Sequence, residues 1–370
     1  MASVRRLSTN PSVTALVAEL LRTATVFAFV LAVIGCEPTQ LPADGAASDT
    51  DSRATIHING AGATLPVPIY SKWFDEYQKR HPEVRINYQS IGSGGGIRQI
   101  VNQTVFFGAS DSPMTDAQLA AAPSTILHFP MVLGADVPVY NIPGVGSDLR
   151  FTGAVLADMF LGKVRTWNDP AIVAVNPGVA LPALDIAVVH RSDGSGTTFI
   201  WADYLAKVSP EWKARVGVAT SVNWPTGVGG KGNEGVAGLV GQTPGSIGYV
   251  ELVYALQNTM TYGSVQNARG EFTKATPQSV TAAAAGTPMP SDFRVSITNA
   301  GGAGAYPVSS FTWLLLFEDA KDTVRSKTMV EFTKWALTDG QRFASALGYA
   351  PLPADVVRQE LTALERVKIS

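Results

Sequence analysis

Three times along this chain, a turn of small residues bearing Ser or Thr runs straight into a stretch with helical spacing of apolar residues. The turns are Gly60-Ala61-Gly62-Ala63-Thr64, Gly92-Ser93-Gly94-Gly95-Gly96 and Asp193-Gly194-Ser195-Gly196-Thr197, the last preceded by Arg191. Strand candidates deliver each of them: Ala54-Thr55-Ile56-His57-Ile58, Val84-Arg85-Ile86-Asn87-Tyr88, and the run from Leu184 to Val189. Behind them, Ile69, Trp73, Phe74 and Tyr77, then Ile97, Ile100 and Val101, then Phe199, Ile200, Tyr204 and Leu205 form helix faces. Strand, turn and helix repeated this way predict an α/β sheet, largely parallel, with the turns at the C-terminal edges of its strands. Open α/β sheets bind ligands at that edge. Val105 to Asp111 reads as a short apolar run ending on a carboxylate, Trp313 to Phe317 as a buried strand, and Thr328 to Leu337 as an amphipathic helix.

The turns also have a chemistry. A helix start presents unpaired backbone N–H groups and the positive end of the helix dipole. Small residues let an anion approach that backbone, and hydroxyls add donors. Three such turns, one flanked by Arg191, point to a site for a small oxyanion of any kind.

At 370 residues the chain exceeds one average core, which predicts two lobes or domains. A hydrophobic share of 46% with 16% charged residues describes a folded protein. The net charge of −2 and the lack of a Lys/Arg cluster exclude nucleic acid as a partner. An anion must therefore be attracted locally, by oriented dipoles and one or two cations.

The N-terminus has the pattern of an export signal. Arg5, Arg6 and Arg22 precede the apolar run from Val26 to Ile34, which is short for a bilayer span and suits a signal peptide. Val33-Ile34-Gly35-Cys36 resembles a bacterial lipobox, whose cysteine is lipidated; an ordinary signal peptide with an incidental Cys36 is the alternative. Cys36 is the single cysteine, so no internal disulfide can form. Residues 1–35 are expected to be a lipoprotein-type signal peptide. Residues 36–53, rich in Pro, Ala, Ser and Asp, are expected to be a flexible tether. No second apolar stretch is long enough to span a membrane.

Catalytic readings fare poorly. His57, His81, His128 and His190 are dispersed, without metal-ligand spacing, and no metal or cofactor is expected. Ser195 sits between glycines, but a nucleophile elbow needs Gly at −2 and +2, where Asp193 and Thr197 stand. Ser93 fails likewise, with Ile91 at −2. His190 as a base for Ser195 keeps a serine-dependent hydrolase or phosphoesterase as the alternative from another class. Val228-Gly229-Gly230-Lys231-Gly232-Asn233 resembles a nucleotide loop, yet Gly232 stands where Ser or Thr is required. It reads as a Gly-rich loop ahead of a helix around Gly235 to Leu239.

Taken together, the segments resemble the substrate-binding proteins of the bacterial Pst phosphate ABC transporter. The matching stretches are Gly60 to Pro66, Tyr88 to Gly95, Phe107 to Asp111, Gly162 to Trp167, Arg191 to Thr197, Gly229 to Asn233 and Pro244 to Glu251, in family order. The resemblance spans about Ala54 to Val357. It implies a type II periplasmic-binding-protein fold of two α/β lobes, each a mixed sheet flanked by helices, with ligand in the cleft between them. Lobe one would be 54–135 plus 306–370 and lobe two 136–305. Carried over residue by residue, it implies Thr64 and the backbone N–H of Leu65, Ser93, Asp111, Arg191, Ser195, Gly196 and Thr197 as the phosphate-binding set. Asp193 would hold Arg191 in place. Phosphate carries a P–OH that a buried Asp111 could accept, whereas sulfate has none and would leave that carboxylate facing lone pairs. Arg191 offers the rigid fork that suits phosphate.

The implied protein is a monomeric receptor outside the cytoplasmic membrane, in the periplasm or at the cell surface, anchored by lipid at Cys36. It would deliver inorganic phosphate to permease and ATPase subunits and catalyse nothing. A receptor for sulfate or molybdate is the alternative among binding proteins. Two departures stand out: Leu65 replaces a common Phe, and Phe106 replaces an Asp that often precedes Phe-Gly-Ala-Ser-Asp. The second alters either the field near Asp111 or only the core.

Overall fold

A computed structural model of the protein describes residues 55–146 and 149–369. The signal segment 1–35, Cys36 and the tether 36–53 lie outside the described residues. Eleven strands are described: β1 Ile56–Gly62, β2 Val84–Ser90, β3 Phe107–Ser110, β4 Ile126–Asn141, β5 Arg150–Phe151, β6 Ala187–Arg191, β7 Val228–Gly230, β8 Ser246–Glu251, β9 Ser264–Gln266, β10 Phe272–Thr273 and β11 Ser309–Phe317. Eight form one sheet in the order β2-β1-β3-β11-β4-β8-β6-β7, and three form a small sheet, β10-β9-β5.

The sheet is parallel at its two ends and antiparallel at its centre. β1 pairs parallel with β2 and β3, and β6 pairs parallel with β7 and β8. Between these ends, β11 runs antiparallel to β3 and β4, and β4 antiparallel to β8. The expectation of a largely parallel sheet is corrected to this extent. Trp313 to Phe317 is the buried strand foreseen, but a strand buried on both faces carries no mark of its direction.

One strand serves both ends. Residues Ile126 to Ala135 of β4 pair with β11, and Asp136 to Asn141 pair with β8. Fifteen of its sixteen residues are buried, which accounts for a nearly continuous apolar run. The β4–β11 register shifts between Thr312 and Trp313, opposite Val132 and Pro130. Proline has no N–H for a ladder, so a bulge beside it is the expected accommodation.

The helices behind the three turns are Val67–Arg80, Ser93–Val101 and Gly196–Val208. The first buries Ile69, Trp73 and Tyr77, as the spacing predicts, but it buries Tyr70 as well and leaves Phe74 half-buried. The second lies backbone against backbone on β1 and β3. A Cβ at Gly96 would sit 2.5 Å from the Gly62 Cα and 2.7 Å from the carbonyl oxygens of Ala61 and Ala109. No helix among the described residues is long and apolar enough to cross a membrane.

Gly96→Ala should therefore cost about 1–3 kcal/mol or more, since the clash is with backbone that has nowhere to go. Gly238→Ala, on an exposed helix face with no atom within 4 Å of the new methyl, should be neutral or stabilising by up to about 1 kcal/mol. Urea denaturation of the two variants checks the contrast, and an equal response in both would refute the close-packing account.

Candidate functional site

The first turn is fixed from behind by tyrosines. Tyr88, Tyr254 and Tyr349 donate their hydroxyls to the carbonyls of Ala63 at 2.7 Å, Thr64 at 2.7 Å and Leu65 at 2.6 Å. In a trans peptide the N–H points opposite to the carbonyl it follows. Holding the Ala63 and Thr64 carbonyls thus turns the N–H groups of Thr64 and Leu65 the other way. The Leu65 side chain is buried in the core against Gly134, so only its backbone faces that way.

The second turn enters its helix at Gly92, whose φ of +80° suits glycine. Ser93 follows, fully buried, and its Oγ accepts the Asp111 N–H at 3.0 Å. Asp111 directly follows β3 and is 1% exposed. One carboxylate oxygen, Oδ1, accepts the Thr312 hydroxyl at 2.7 Å, while Oδ2 is buried with no hydrogen-bond partner. Burial pushes the Asp111 carboxyl up to about 7, against the Thr312 hydrogen bond and the Arg191 charge, which both pull it down.

The third turn carries the cation. Arg191 ends β6 with its side chain 1% exposed, and its Nε and Nη2 donate to the two oxygens of Asp193 at 2.8 and 2.6 Å. Nη1 donates to Thr197 Oγ1 at 3.1 Å. Burial alone would lower the Arg191 pKa, but the bond and charge of Asp193 outweigh it and raise it; the same pair holds Asp193 below its ordinary value. Ser195 caps the helix, accepting the Thr198 N–H at 3.0 Å. The His190 ring stacks on Trp224 at 4.7 Å, with Nδ1 beside the Arg191 carbonyl. Tyr249 backs the turn, bonding the Arg191 N–H and the Thr198 hydroxyl and stacking on Trp201 at 5.1 Å.

These pieces meet at one place. The Gly94 N–H donates to the Gly194 carbonyl at 2.9 Å, joining the second and third turns. A Cβ at Gly196 would lie 2.4 Å from Ser93 Oγ and 2.8 Å from Asp111 Oδ2. Asn233 donates to Thr64 Oγ1 at 2.7 Å and to Thr197 Oγ1 at 3.3 Å. Thr64, Ser93, Asp111, Arg191, Ser195, Gly196 and Thr197 thus form one buried cluster, with Asp193 behind Arg191 and Leu65 next to Thr64 in the chain. Phe106 stands apart, at the other end of β3, where it lines a surface groove with Gln103 and Val105. Its replacement of Asp does not reach Asp111.

Sequence reasoning missed Asn233, Thr312 and the three tyrosines. Thr312 had a visible signal, a polar residue inside a buried apolar strand; Asn233 lay in a Gly-rich segment that matched the family but was given no role. Among the described residues no group of three or more His, Cys, Asp or Glu could hold a metal ion.

Comparison with known proteins agrees with this geometry. Residues 44–339 match the family model of the PBP superfamily domain. Two relatives named phosphate-binding protein PstS are similar over most of their length. The one from Xylella fastidiosa (strain Temecula1) is 46% identical over 339 residues, covering 88% of this chain and 92% of the relative. The one from Methanocaldococcus jannaschii is 38% identical, covering 87% and 89%. The chain belongs to the PBP superfamily and, within it, to the PstS family of phosphate-binding proteins. Among solved structures, a periplasmic phosphate-binding protein, PfluDING, bound with phosphate matches with a TM-score of 0.68 at 22% identity, covering 83% of this chain and 93% of that one. A phosphate-binding protein from Stenotrophomonas maltophilia matches with a TM-score of 0.65 at 18% identity, covering 84% and 94%. At those identities the likeness is one of fold.

The raised Asp111 pKa has a consequence for the ligand-free protein. A carboxyl whose folded pKa exceeds its unfolded value holds its proton more tightly when folded, so its ionisation lowers stability as pH rises from 3.8 to about 7. Asp111→Asn removes this cost. Relative to wild type, the variant should gain on the order of 3 kcal/mol between pH 4 and pH 8. Urea titrations in phosphate-free buffer at the two pH values measure it; a constant difference would contradict the shift.

Proposed function

We propose that the buried cluster is the site at which this protein binds inorganic phosphate, for delivery to the permease of an ABC transporter. It is a binding protein, not an enzyme. Thr64, the Leu65 N–H, Ser93, Ser195, Gly196 and Thr197 supply uncharged donors, and Arg191, steadied by Asp193, supplies the cation. The observation that carries the reading is Asp111: a buried acceptor, one oxygen unpartnered, set among donors. A protonated phosphate oxygen can satisfy Oδ2, whereas a ligand without a proton leaves it unpaired beside negative charge. The names of the relatives support phosphate over sulfate or molybdate, and no observation favours either of those.

The protein works in the periplasm. Lobes of 54–135 plus 306–370 and of 136–305 agree with the partner change of β4, which pairs with β11 from Ile126 to Ala135 and with β8 from Asp136 to Asn141. On that division Thr64, Ser93 and Asp111 come from lobe one and Arg191 to Thr197 from lobe two. The bonds from Gly94 to Gly194 and from Asn233 to Thr64 then join the lobes in a closed state. A lipid anchor at Cys36 and action as a monomer complete the proposal; mass spectrometry of the mature N-terminus tests the anchor.

Isothermal titration with phosphate and sulfate tests the central claim. Wild type should prefer phosphate by at least about a hundredfold, as sites do when the wrong ligand leaves a buried polar group unpaired. Asp111→Asn should reduce that preference by at least about tenfold. Equal affinity of wild type for the two anions would sink the phosphate reading.

A further inference from the structure

We propose that Asn233 sets the hydrogen-bonding polarity of the site, filling acceptor positions on Thr64 and Thr197 so that both hydroxyls are left to donate to the ligand. The inference rests on the phosphate reading and assigns a positioning role to a residue outside the binding set.

The orientation of the Asn233 amide is fixed on one side. Its Oδ1 accepts the Glu251 N–H at 3.0 Å, so Nδ2 must face the threonines. Asn233 is fully buried. The two hydrogens on Nδ2 go to Thr64 Oγ1 at 2.7 Å and Thr197 Oγ1 at 3.3 Å. A hydroxyl has two lone pairs and one proton. At Thr197 both lone pairs are taken, one by Asn233 and one by Arg191 Nη1 at 3.1 Å, and the proton is all that remains. At Thr64 the shorter bond takes one of the two lone pairs, which biases the hydroxyl toward donating.

This matters because a free hydroxyl is ambivalent. It can donate to an oxyanion, or rotate and accept from a P–OH, and ordering it one way costs free energy when the ligand binds. With Asn233 in place the choice is made beforehand. Asp111 is then the acceptor that the phosphate proton must find: Thr197 cannot compete for it, and Thr64 is left with a single lone pair. The support is structural as well: the Gly232 N–H, next in the chain, donates to Asp193 Oδ1 at 3.1 Å. The start of the helix Gly232–Gln242 therefore braces both the partner of Arg191 and the amide that orients the threonines.

A cycle of variants read by phosphate titration tests this. Asn233→Ala in otherwise wild-type protein should weaken phosphate binding by about tenfold or more, the scale of a lost oriented hydrogen bond. In a Thr64→Val/Thr197→Val background, with no hydroxyl to orient, the same substitution should cost less than about threefold. In a Thr64→Ser/Thr197→Ser background, where the hydroxyls return, the tenfold cost should return. Should Asn233→Ala fail to fold by circular dichroism, Asn233→Ser takes its place in the same cycle. Equal costs in all three backgrounds would mean that Asn233 merely fills space, and wild-type affinity in Asn233→Ala would likewise overturn the inference. Absence of phosphate binding by wild type removes the proposed function and this inference with it; normal wild-type binding with equal costs removes only the inference.

Discussion

The closeness of the second and third turns governs everything at the site. A backbone hydrogen bond, from Gly94 N–H to the Gly194 carbonyl, spans a hundred residues of sequence and brings the Arg191 strand to the Asp111 strand. That approach tolerates no side chains. A Cβ at Gly92 would meet Asp193 and the Gly194 carbonyl at 2.5 Å, and one at Gly196 would meet Ser93 at 2.4 Å. The glycines are thus required less for the anion than for the meeting of two pieces of backbone. Small-residue turns can serve an oxyanion only because they first serve each other.

The electrostatics follow from that enclosure. Arg191 is buried but paired bidentately with Asp193, so the cation enters the site already satisfied and nearly neutral as a pair. Asp111 lies within its field but without its fork, and burial makes the protonated form easy to reach near neutral pH. Most of what faces the proposed ligand is uncharged N–H and O–H. Dipoles fixed by backbone and by tyrosine or asparagine braces can hold charge in a dry place without burying a matching set of ions.

The sequence carried much of this and lost the rest for identifiable reasons. Turns and helices were legible because glycine, hydroxyl and apolar spacing act locally: the helix Gly196–Val208 begins at the turn that the residues announce. Arg191, Asp193 and Asp111 were visible as charged groups at strand ends, and the family resemblance supplied their roles. Asn233 and the tyrosines were not legible, since their bonds reach 169 residues to Thr64 and 284 from Leu65 to Tyr349. No local pattern marks such partners. The direction of β11 was hidden for a different reason: a strand buried on both faces reads the same from either end.

The place of β11 bears on how the chain comes to be folded at all. In the finished sheet β11 lies between β3 and β4, which follow one another closely in sequence but never pair. The gap between them is filled by residues 309–317, so the two earlier strands must wait, edges unpaired, until most of the chain has been made. Such long-range pairing slows folding and leaves strand edges exposed meanwhile. The two halves, β2-β1-β3 and β4-β8-β6-β7, become one sheet only when a strand from near the far end of the chain slides in between them as the keystone.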